Sequence, residues 1–206
     1  MNEQKLHRYW KIFQTTNELL YDRGYDILIA GNNIANFDDF RREFAIDGDI
    51  VDNQTMNFVK QNSQTKKLMI VYFSNDESIG IKHITKIYEK MMIGKIQQCI
   101  LIYPNTLTSS AKKYLEKTQK VTIESFSEDD LIINITKHKM TPKHTVLQLE
   151  QIRELYSQSG LVDSQLPRIA VTDPIAKYYG MKRGDIVQIT RKSETAGLYV
   201  TYRICN

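Results

Sequence analysis

The side chains best suited to chemistry are acids crowded into the first quarter of the chain. Residues 36–53 carry six acids against two arginines, a net charge of −4. These acids are Asp38, Asp39, Glu43, Asp47, Asp49 and Asp52. Two-metal phosphodiester cleavage needs convergent carboxylates, usually with a lysine close by. Here the acids are spaced like a solvated surface, and the only Glu-x-Lys triplet, Glu3-Gln4-Lys5, falls on the predicted opening helix. The pattern therefore disfavours a metal-dependent nuclease.

Histidine and cysteine suggest no other reaction. The histidines and cysteines are scattered and have no zinc-ligand spacing: His7, His83, His138, His144, Cys99 and Cys205. Gly-rich phosphate loops, dinucleotide fingerprints and a Gly-x-Ser-x-Gly elbow are missing. The sequence predicts no catalytic residue, no metal site and no cofactor. We expect Cys99 to be buried and Cys205 to be exposed, without a disulfide, in a reducing compartment.

Lysines dominate the middle of the chain. Residues 82–120 carry eight lysines against two glutamates, a net charge of +6, within a chain whose net charge is only +4. A segment this basic is able to face phosphates, although an ordinary solvated lysine face is the alternative. Apolar runs such as Leu68–Phe73 are strand-sized, and the first five residues lack the apolar stretch of a secretory signal, so we expect neither membrane insertion nor export.

A short polar loop in this basic segment has the composition of a phosphate site. The residues Asn105-Thr-Leu-Thr-Ser-Ser-Ala-Lys-Lys113 join a predicted strand to a predicted helix. Thr108 or Ser109 is the expected N-cap, which leaves free backbone N–H groups and the positive end of the helix dipole. Hydroxyls and lysines beside such an end can hold a phosphate, and simple helix capping is the alternative interpretation.

The apolar pattern predicts alternating helices and strands in the first part of the chain. Residues 67–74 and 97–103 are predicted as buried strands, and residues 80–92 and 109–117 as helices. An amphipathic helix opens the chain and ends at Arg23-Gly24, and a short helix follows Asn36. This order indicates an α/β layer with a largely parallel sheet.

A polar stretch at residues 137–144, broken by Pro142, is the only convincing linker, so we predict domains at 1–140 and 141–206. The second domain is predicted as a small α+β unit. It has a helix over 147–156 and a second helix that begins at Asp173-Pro174 and ends before Gly180. Its last predicted elements are the strands 186–191 and 198–204, which form a hairpin.

From Leu166 onward the chain resembles a known family. The blocks Leu166-Pro-Arg-Ile169, Asp173-Pro-Ile-Ala-Lys-Tyr-Tyr-Gly180, Lys182-Arg-Gly-Asp-Ile-Val187 and Arg191-Lys-Ser-Glu-Thr-Ala-Gly197 resemble the C-terminal domain of the fifth-largest shared subunit of eukaryotic RNA polymerases. The archaeal counterpart, which lacks the N-terminal jaw domain, is similar to this part of the chain. Weaker blocks at Tyr21–Tyr25, Val71–Phe73, Leu107–Lys112 and Leu131–Thr136 extend the resemblance through the first domain.

The resemblance implies a non-catalytic subunit of a multisubunit DNA-directed RNA polymerase. It implies an N-terminal jaw domain, similar to a restriction-nuclease core without an active site, beside downstream DNA. It also implies a small C-terminal assembly domain that docks on the largest subunit, with catalysis in the two largest subunits and their magnesium. The family's DNA-side loop usually reads Thr-Pro-Ser-Ala, whereas this chain has Thr108-Ser-Ser-Ala111, which lacks the proline.

Two sets of residues follow from the resemblance. The expected contacts to the DNA backbone are Thr108, Ser109, Ser110, Lys112 and Lys113. The expected contacts to the largest subunit are Pro167, Arg168, Asp173, Pro174, Arg191, Ser193, Thr195, Tyr202 and Arg203. A structural role in turn formation is the alternative for the segment at Pro167 and for the turn at 193–197.

The sequence allows an alternative function and two alternative sources for the chain. A free-standing DNA-binding transcription regulator with an inactive nuclease-like fold is the alternative function. The many Asn, Ile, Lys and Tyr residues suggest a divergent source, either a protist or a large DNA virus. The expected location is the nucleus for a cellular protein, and a host cytoplasmic viral factory or the virion for a virus-encoded one.

Overall fold

The structure is a computed structural model that describes residues 2–25, 34, 36–46, 50–51, 55–76, 78–117, 121–160, 162–193 and 197–206. It forms two compact units, residues 1–133 and 134–206. Among the described residues, no helix combines the length and the apolar character needed to cross a bilayer.

The first unit combines helices with a mixed sheet. Its helices are α1 (Asn2–Asp22), α2 (Phe37–Phe44), α3 (Ile81–Ile93), α4 (Ser109–Lys117) and α5 (Glu128–Leu131). Its strands are β1 (Ala45–Ile46), β2 (Ile50–Val51), β3 (Phe58–Gln61), β4 (Leu68–Phe73), β5 (Ser78–Ile79), β6 (Gln98–Tyr103), β7 (Thr106–Leu107) and β8 (Thr122–Ser127). The predicted helices and the two predicted strands of this unit are all present.

The main sheet of the first unit has the order β3-β4-β6-β8, with β3 antiparallel and the other pairs parallel. The sequence predicts β4 and β6 because they are apolar runs, but it does not predict β3 or β8. Strand β8 reads Thr-Ile-Glu-Ser-Phe-Ser and lies at the sheet edge, where half-exposed polar positions hide the pattern. The predicted parallel core is therefore confirmed, and β3 and β8 are two further strands of the same sheet.

Helices α3 and α4 pack their apolar faces on this sheet. Ile84, Ile87 and Met91 of α3 are buried together with Ala111 of α4 and Leu101 of β6. Each helix directly follows a short strand, since α3 follows β5 and α4 follows β7. Those two strands pair in parallel, with Ile79 opposite Leu107. The pairing therefore brings the first turns of α3 and α4 to the same end of the unit.

Aromatic packing joins the two opening helices. Phe40 and Phe44 of α2 are buried, and their rings lie 5.4 and 5.6 Å from the ring of Phe13 on α1. Leu6 and Leu20, which lie on the apolar face of α1, are also buried. These buried residues confirm that the helical spacing marks the face of each helix that packs in the core.

The second unit is an antiparallel sheet with helices against it. In chain order it contains a 3₁₀ turn (Ile135–Lys137), β9 (Lys143–Val146), α6 (Leu149–Ser159), a 3₁₀ turn (Asp163–Gln165), β10 (Arg168–Ile169), α7 (Pro174–Tyr179), β11 (Ile186–Ser193) and β12 (Gly197–Cys205). The strand order is β10-β12-β11-β9, and only the β10–β12 pair is parallel. The predicted C-terminal hairpin is β11–β12.

Both predicted helices of this unit end at a glycine. Gly160 and Gly180 each have a φ of +64°, the left-handed conformation that favours glycine after a helix. Two apolar clusters complete the unit. One includes Ile169, Ala176, Val187 and Cys205, and the other is built on Leu147, Leu166 and Ile186.

Two expectations about the second unit need correction. The polar stretch at 137–144 is not a linker, because it contributes the end of a 3₁₀ turn and the start of β9, and the units divide between residues 133 and 134 instead of 140 and 141. Within the second unit, the Asn134 side chain donates to the Tyr178 hydroxyl at 3.1 Å. Cys205 is only 2 % exposed, against the expectation of an exposed thiol, because β12 carries it into the core.

Candidate functional site

The start of α4 has the capped geometry that the sequence predicts, and Thr108 is the cap. The Thr108 side-chain oxygen accepts a hydrogen bond from the Ala111 N–H at 3.3 Å and lies 3.3 Å from the Ser110 hydroxyl oxygen. Helix geometry gives the N–H groups of Ser109 and Ser110 no partner within the helix. Ser109 and Ser110 are exposed, so these donors face solvent at the positive end of the dipole.

Thr108 also ties α4 to the start of α3. Its backbone N–H and its hydroxyl both donate to the Ile79 carbonyl, each at 3.2 Å. At the start of α3, the Gly80 N–H donates to Nδ1 of His83, and Nε2 of His83 lies 3.2 Å from an Asp76 carboxylate oxygen. The starts of two helices therefore share one end of the first unit, with Asp76 as an acid beside them.

Four lysines surround these helix starts. Lys82 and Lys86 lie on the first turns of α3, and Lys112 and Lys113 lie on the first turns of α4; all four are exposed. Within the described part of the chain, none of them forms an ion pair. We call the surface formed by Thr108, Ser109, Ser110 and these four lysines the basic helix end. It combines ammonium groups with free backbone N–H groups, and both kinds of group bind phosphate oxyanions.

The acids of residues 36–53 that the structure describes lie on a helix and do not gather at the main sheet. Asp38, Asp39 and Glu43 lie on α2, where Asp39 pairs with Arg42 at 3.2 Å. Asp47, Asp49 and Asp52 lie outside the described residues, and Glu3 and Lys5 are exposed on α1. In the part of the chain that is described, no three His, Cys, Asp or Glu side chains meet as a metal site would require.

The carboxylates that do accompany β8 are held by arginines. Arg23 makes two bonds, of 3.1 and 2.7 Å, to the carboxylate of Glu124 on β8. Arg8 lies 3.2 Å from the buried carboxylate of Glu128, whose pKa is raised by burial against the opposing effect of Arg8. Burial also raises the pKa of the Cys99 thiol to about 12, which keeps this group protonated at neutral pH. These groups serve the fold.

Four of the predicted docking residues line one groove of the second unit. Asp173 and Pro174 from the start of α7, Arg191 from β11 and Arg203 from β12 border a groove of about 500 Å³. Asp173 is the N-cap of α7, because its side chain accepts from the Ile175 N–H at 2.8 Å, and Pro174 is the first helical residue.

The other predicted docking residues lie elsewhere. Pro167 and Arg168 lie at the start of β10, where both are exposed, and the half-buried Tyr202 packs on the apolar cluster at Leu166. Ser193 pairs with Gly197 at the end of the hairpin. Thr195 lies outside the described residues. The structure therefore distributes the predicted set over both faces of the sheet.

Two features of this unit are not predicted by the sequence. Met140, Thr141, Pro142 and His144 line the groove, although the sequence predicts a linker there. In addition, Leu198, Tyr199 and Val200 on β12 are 67, 46 and 41 % exposed. Three consecutive exposed hydrophobic residues are unusual on a strand. The composition alone would equally suit a buried strand, so only the observed exposure identifies this surface.

Family models match both units. Residues 3–91 match the model described as RNA polymerase Rpb5, N-terminal domain, and residues 133–205 match RNA polymerase Rpb5, C-terminal domain. The second match begins at the division between the two compact units. The two matches occur in the same chain, in the order expected for a two-domain subunit.

Full-length relatives agree with these models. The chain is 36 % identical over 98 % of its length to the DNA-directed RNA polymerases I, II, and III subunit RPABC1 of Caenorhabditis briggsae, and the match covers 98 % of that protein. Identity to proteins described in the same words is 35 % for Caenorhabditis elegans and 35 % for Dictyostelium discoideum, with 98 % of this chain covered in each case. This chain belongs to the Rpb5 family of RNA polymerase subunits.

Proposed function

We propose that this chain is a non-catalytic subunit of a multisubunit DNA-directed RNA polymerase. The observation that carries the proposal is similarity to polymerase subunits over 98 % of both chains, so the match spans both domains. Phosphodiester synthesis then belongs to the two largest subunits and their magnesium. We further propose that the α/β layer of the first unit is similar to a nuclease core without an active site; the pairing of Glu124 and Glu128 with arginines supports a structural role for these carboxylates.

Affinity purification of the tagged full-length chain tests this function. We expect the two largest polymerase subunits to be recovered with it and identified by mass spectrometry. The isolated chain should bind duplex DNA poorly, because its net charge is only +4. Tight DNA binding by the isolated chain, without recovery of large polymerase subunits, would instead establish the free-standing regulator.

In this assembly the first unit is the jaw domain beside downstream DNA. We assign the backbone contacts to Thr108, Ser109, Ser110, Lys112 and Lys113, without sequence readout, as is usual for phosphate contacts. The support is geometric: the N–H groups of Ser109 and Ser110 and the exposed ammonium groups lie on the first turn of one helix. The missing family proline leaves an additional backbone donor at Ser109.

The salt dependence of DNA binding tests this assignment. Polymerase containing Lys112→Gln and Lys113→Gln should hold downstream DNA more weakly. The slope of log K against log salt should fall in magnitude by about two, because each phosphate contact contributes about 0.9. A matched control carries Lys5→Gln and Lys11→Gln, which remove two exposed lysines of α1. A slope identical in both variants and the wild type would remove these lysines from the DNA interface.

The second unit is the assembly domain, docked on the largest subunit. Its contacts are drawn from Pro167, Arg168, Asp173, Pro174, Arg191, Ser193, Thr195, Tyr202 and Arg203. The groove bordered by Asp173, Pro174, Arg191 and Arg203 supports this role, because it brings together residues from three separate segments of the chain. Two arginines against the single carboxylate of Asp173 leave the groove with a net positive charge, which suits an acidic partner surface.

The cellular relatives support a nuclear location, since all three come from eukaryotes. A viral factory or virion would apply only to a virus-encoded copy. Microscopy of the tagged chain, at the expression level of the untagged one, distinguishes nuclear from cytoplasmic accumulation.

A further inference from the structure

Along one edge of β12, a row of backbone N–H and C=O groups faces away from β11. The Cys205 N–H donates to the Asp185 carbonyl, at 2.8 Å, in the direction of β11, whereas the Ile204 N–H donates to the Pro167 carbonyl of the β10 side at 2.9 Å. Directions alternate along a strand. The N–H and C=O groups of Leu198, Val200 and Tyr202 therefore face the β10 side of β12.

Strand β10 is too short to satisfy these groups. It pairs with β12 only at Arg168 and Ile169. Extension of the parallel ladder by one step would require an N–H of residue 167 to donate to the Tyr202 carbonyl, and proline has no N–H. Among the described residues, no strand pairs with β12 on this side from Leu198 to Tyr202. Pro167 thus prevents β10 from extending toward its N-terminus. The edge of β12 from Leu198 to Tyr202 is therefore left without a neighbouring strand among the described residues.

The side chains along this edge are unusual for a strand in contact with water. The stretch Leu198-Tyr-Val-Thr-Tyr202 contains only aromatic, β-branched and leucine residues, and Leu198 is 67 % exposed. Natural edge strands normally avoid pairing through lysine, proline or a bulge. None of these occurs from Leu198 to Tyr202. The edge therefore has the character of a strand that another strand covers.

The two faces beside the edge differ in chemistry. Leu198 and Val200 project to the face on which Tyr202 and Ile204 pack with the Leu166 cluster, so this face is apolar. On the opposite face lie Tyr199, Thr201 and Arg203. The guanidinium of Arg191 lies 4.9 Å from the centroid of the Tyr199 ring. This second face opens into the groove, where two exposed arginines, Arg191 and Arg203, outnumber the single carboxylate of Asp173, so the face carries a net positive charge.

We propose that the vacant edge of β12 is a strand-addition site for another polymerase subunit. An extended segment of that subunit continues the sheet beside β10 by pairing with Leu198, Val200 and Tyr202. Such a segment alternates apolar residues, which cover Leu198 and Val200, with carboxylates, which face Arg191 and Arg203. Main-chain pairing supplies affinity and the alternating side chains supply specificity. This inference rests on the proposed function and adds the mode and chemistry of docking.

Hydrogen exchange at single-amide resolution tests the pairing in the intact proteins. In the free chain the outward amides of Leu198, Val200 and Tyr202 should exchange fast, whereas the inward amides of Tyr199, Thr201 and Arg203 are protected by β11. In the purified polymerase the outward amides should slow by at least about tenfold. The inward amides of the same strand are the internal control.

The outcomes separate the two proposals. If the chain is recovered with the polymerase but its outward amides exchange as fast as in the free chain, strand addition is wrong and the subunit assignment stands. If the chain is not recovered with the polymerase, the proposed function itself fails. Protection that rises with the concentration of the free chain would show a second copy on this edge and would overturn the inference.

Substitutions give a second test. Val200→Pro removes one outward N–H and none of the bonds to β11, and should lower recovery of the large subunits about fivefold to tenfold. Val200→Ala keeps the N–H and should have a smaller effect. Equal recovery with Val200→Pro and wild type would contradict strand addition, provided that the circular dichroism spectra match.

Charge-reversal variants test whether the partner segment is acidic. Arg191→Glu with Arg203→Glu should lower recovery about tenfold, since like charges then face each other across the interface. The matched control is Lys182→Glu with Arg183→Glu, in an exposed turn of the same unit. Equal loss in both double variants would remove the charge requirement and overturn the acidic assignment.

Discussion

The first turns of α4 and α7 are both capped by a side chain, but the two caps differ in charge and in the backbone donors that they leave free. Both have an N-cap side chain that accepts from a backbone N–H: Thr108 from Ala111 at 3.3 Å, and Asp173 from Ile175 at 2.8 Å. At α7 the cap is a carboxylate and the first helical residue is Pro174, which has no N–H. At α4 the cap is neutral and the first two helical residues are exposed serines with free N–H groups.

This difference shows which helix start is open to an anion. A carboxylate at the N-cap already interacts with the positive end of the helix dipole, and proline removes a donor that an anion would use. The start of α7 is therefore closed and serves the fold of the second unit. The start of α4 keeps its donors and adds Lys112 and Lys113, so a phosphate meets no opposing charge on that helix turn.

The largest expected effect is the loss of the anionic cap. Asp173→Ala should lower the free energy of unfolding by about 1 kcal/mol, because the Ile175 N–H loses its acceptor at the start of α7. For a domain of this size the melting temperature should fall by roughly 4–8 °C. Thermal unfolding of the isolated full-length chain, followed by circular dichroism, measures the change.

Asp173→Ser is the matched control, because serine keeps a capping oxygen without the charge. It should remain within a few tenths of a kcal/mol of the wild type. If both variants were equally stable, the cap would contribute nothing and α7 would depend on tertiary packing alone.

A smaller effect should follow from giving α4 the charge that α7 has. Ser109→Asp places a carboxylate among the free donors of the basic helix end, with Ser109→Asn as the neutral control of the same shape. Polymerase with the aspartate should bind downstream DNA about fivefold more weakly at low salt, as expected for roughly 1 kcal/mol of repulsion near a phosphate in water. The stability of the isolated chain should not fall, because an acid at a helix start is favourable.

This pair of variants separates charge from shape at Ser109. Equal DNA binding by the aspartate and asparagine variants, measured by fluorescence anisotropy on assembled polymerase, would show that the start of α4 lies away from DNA.

The smallest expected change is the restoration of the proline that the family pattern has at this position. Ser109→Pro should raise the free energy of unfolding by about 0.4–1 kcal/mol, because proline suits the first helical position and restricts the unfolded chain. The melting temperature of the isolated chain measures this. Destabilisation would show that the Ser109 N–H has a partner in the folded chain that proline removes.

Elements with a strong local pattern were predictable from the sequence. Strands β4 and β6 are uninterrupted apolar runs, and α3 repeats its buried residues at helical spacing, so a local pattern identifies each of them. The cap at Asp173 was equally visible, because Asp-Pro before an apolar run has a direct meaning in backbone geometry. In contrast, β8 alternates polar and apolar residues at a sheet edge, and β9 begins inside a stretch that resembles a linker.

Of the candidate sites, the sequence predicted the order of residues at Thr108–Lys113 and their proximity to a helix start. It did not predict that Thr108 bonds to Ile79 or that the start of α3 lies beside it. That contact depends on the pairing of β5 with β7, two strands of two residues each, which are too short for any periodic signal. The exposure of Leu198 and Val200 was equally hidden, since an exposed edge and a buried strand share one composition.

The sequence by itself determined the family, the element types that carry a strong local period, and the chemistry at the start of α4. Those properties depend on residues close together in the chain, whose spacing fixes which face is apolar and which backbone groups are free. Tertiary structure alone decided that Cys205 is buried, that two helix starts share one end of the first unit, and that Pro167 leaves an open edge on β12. Each of these requires strands from distant segments to meet in a particular register, and register is a property of the folded sheet.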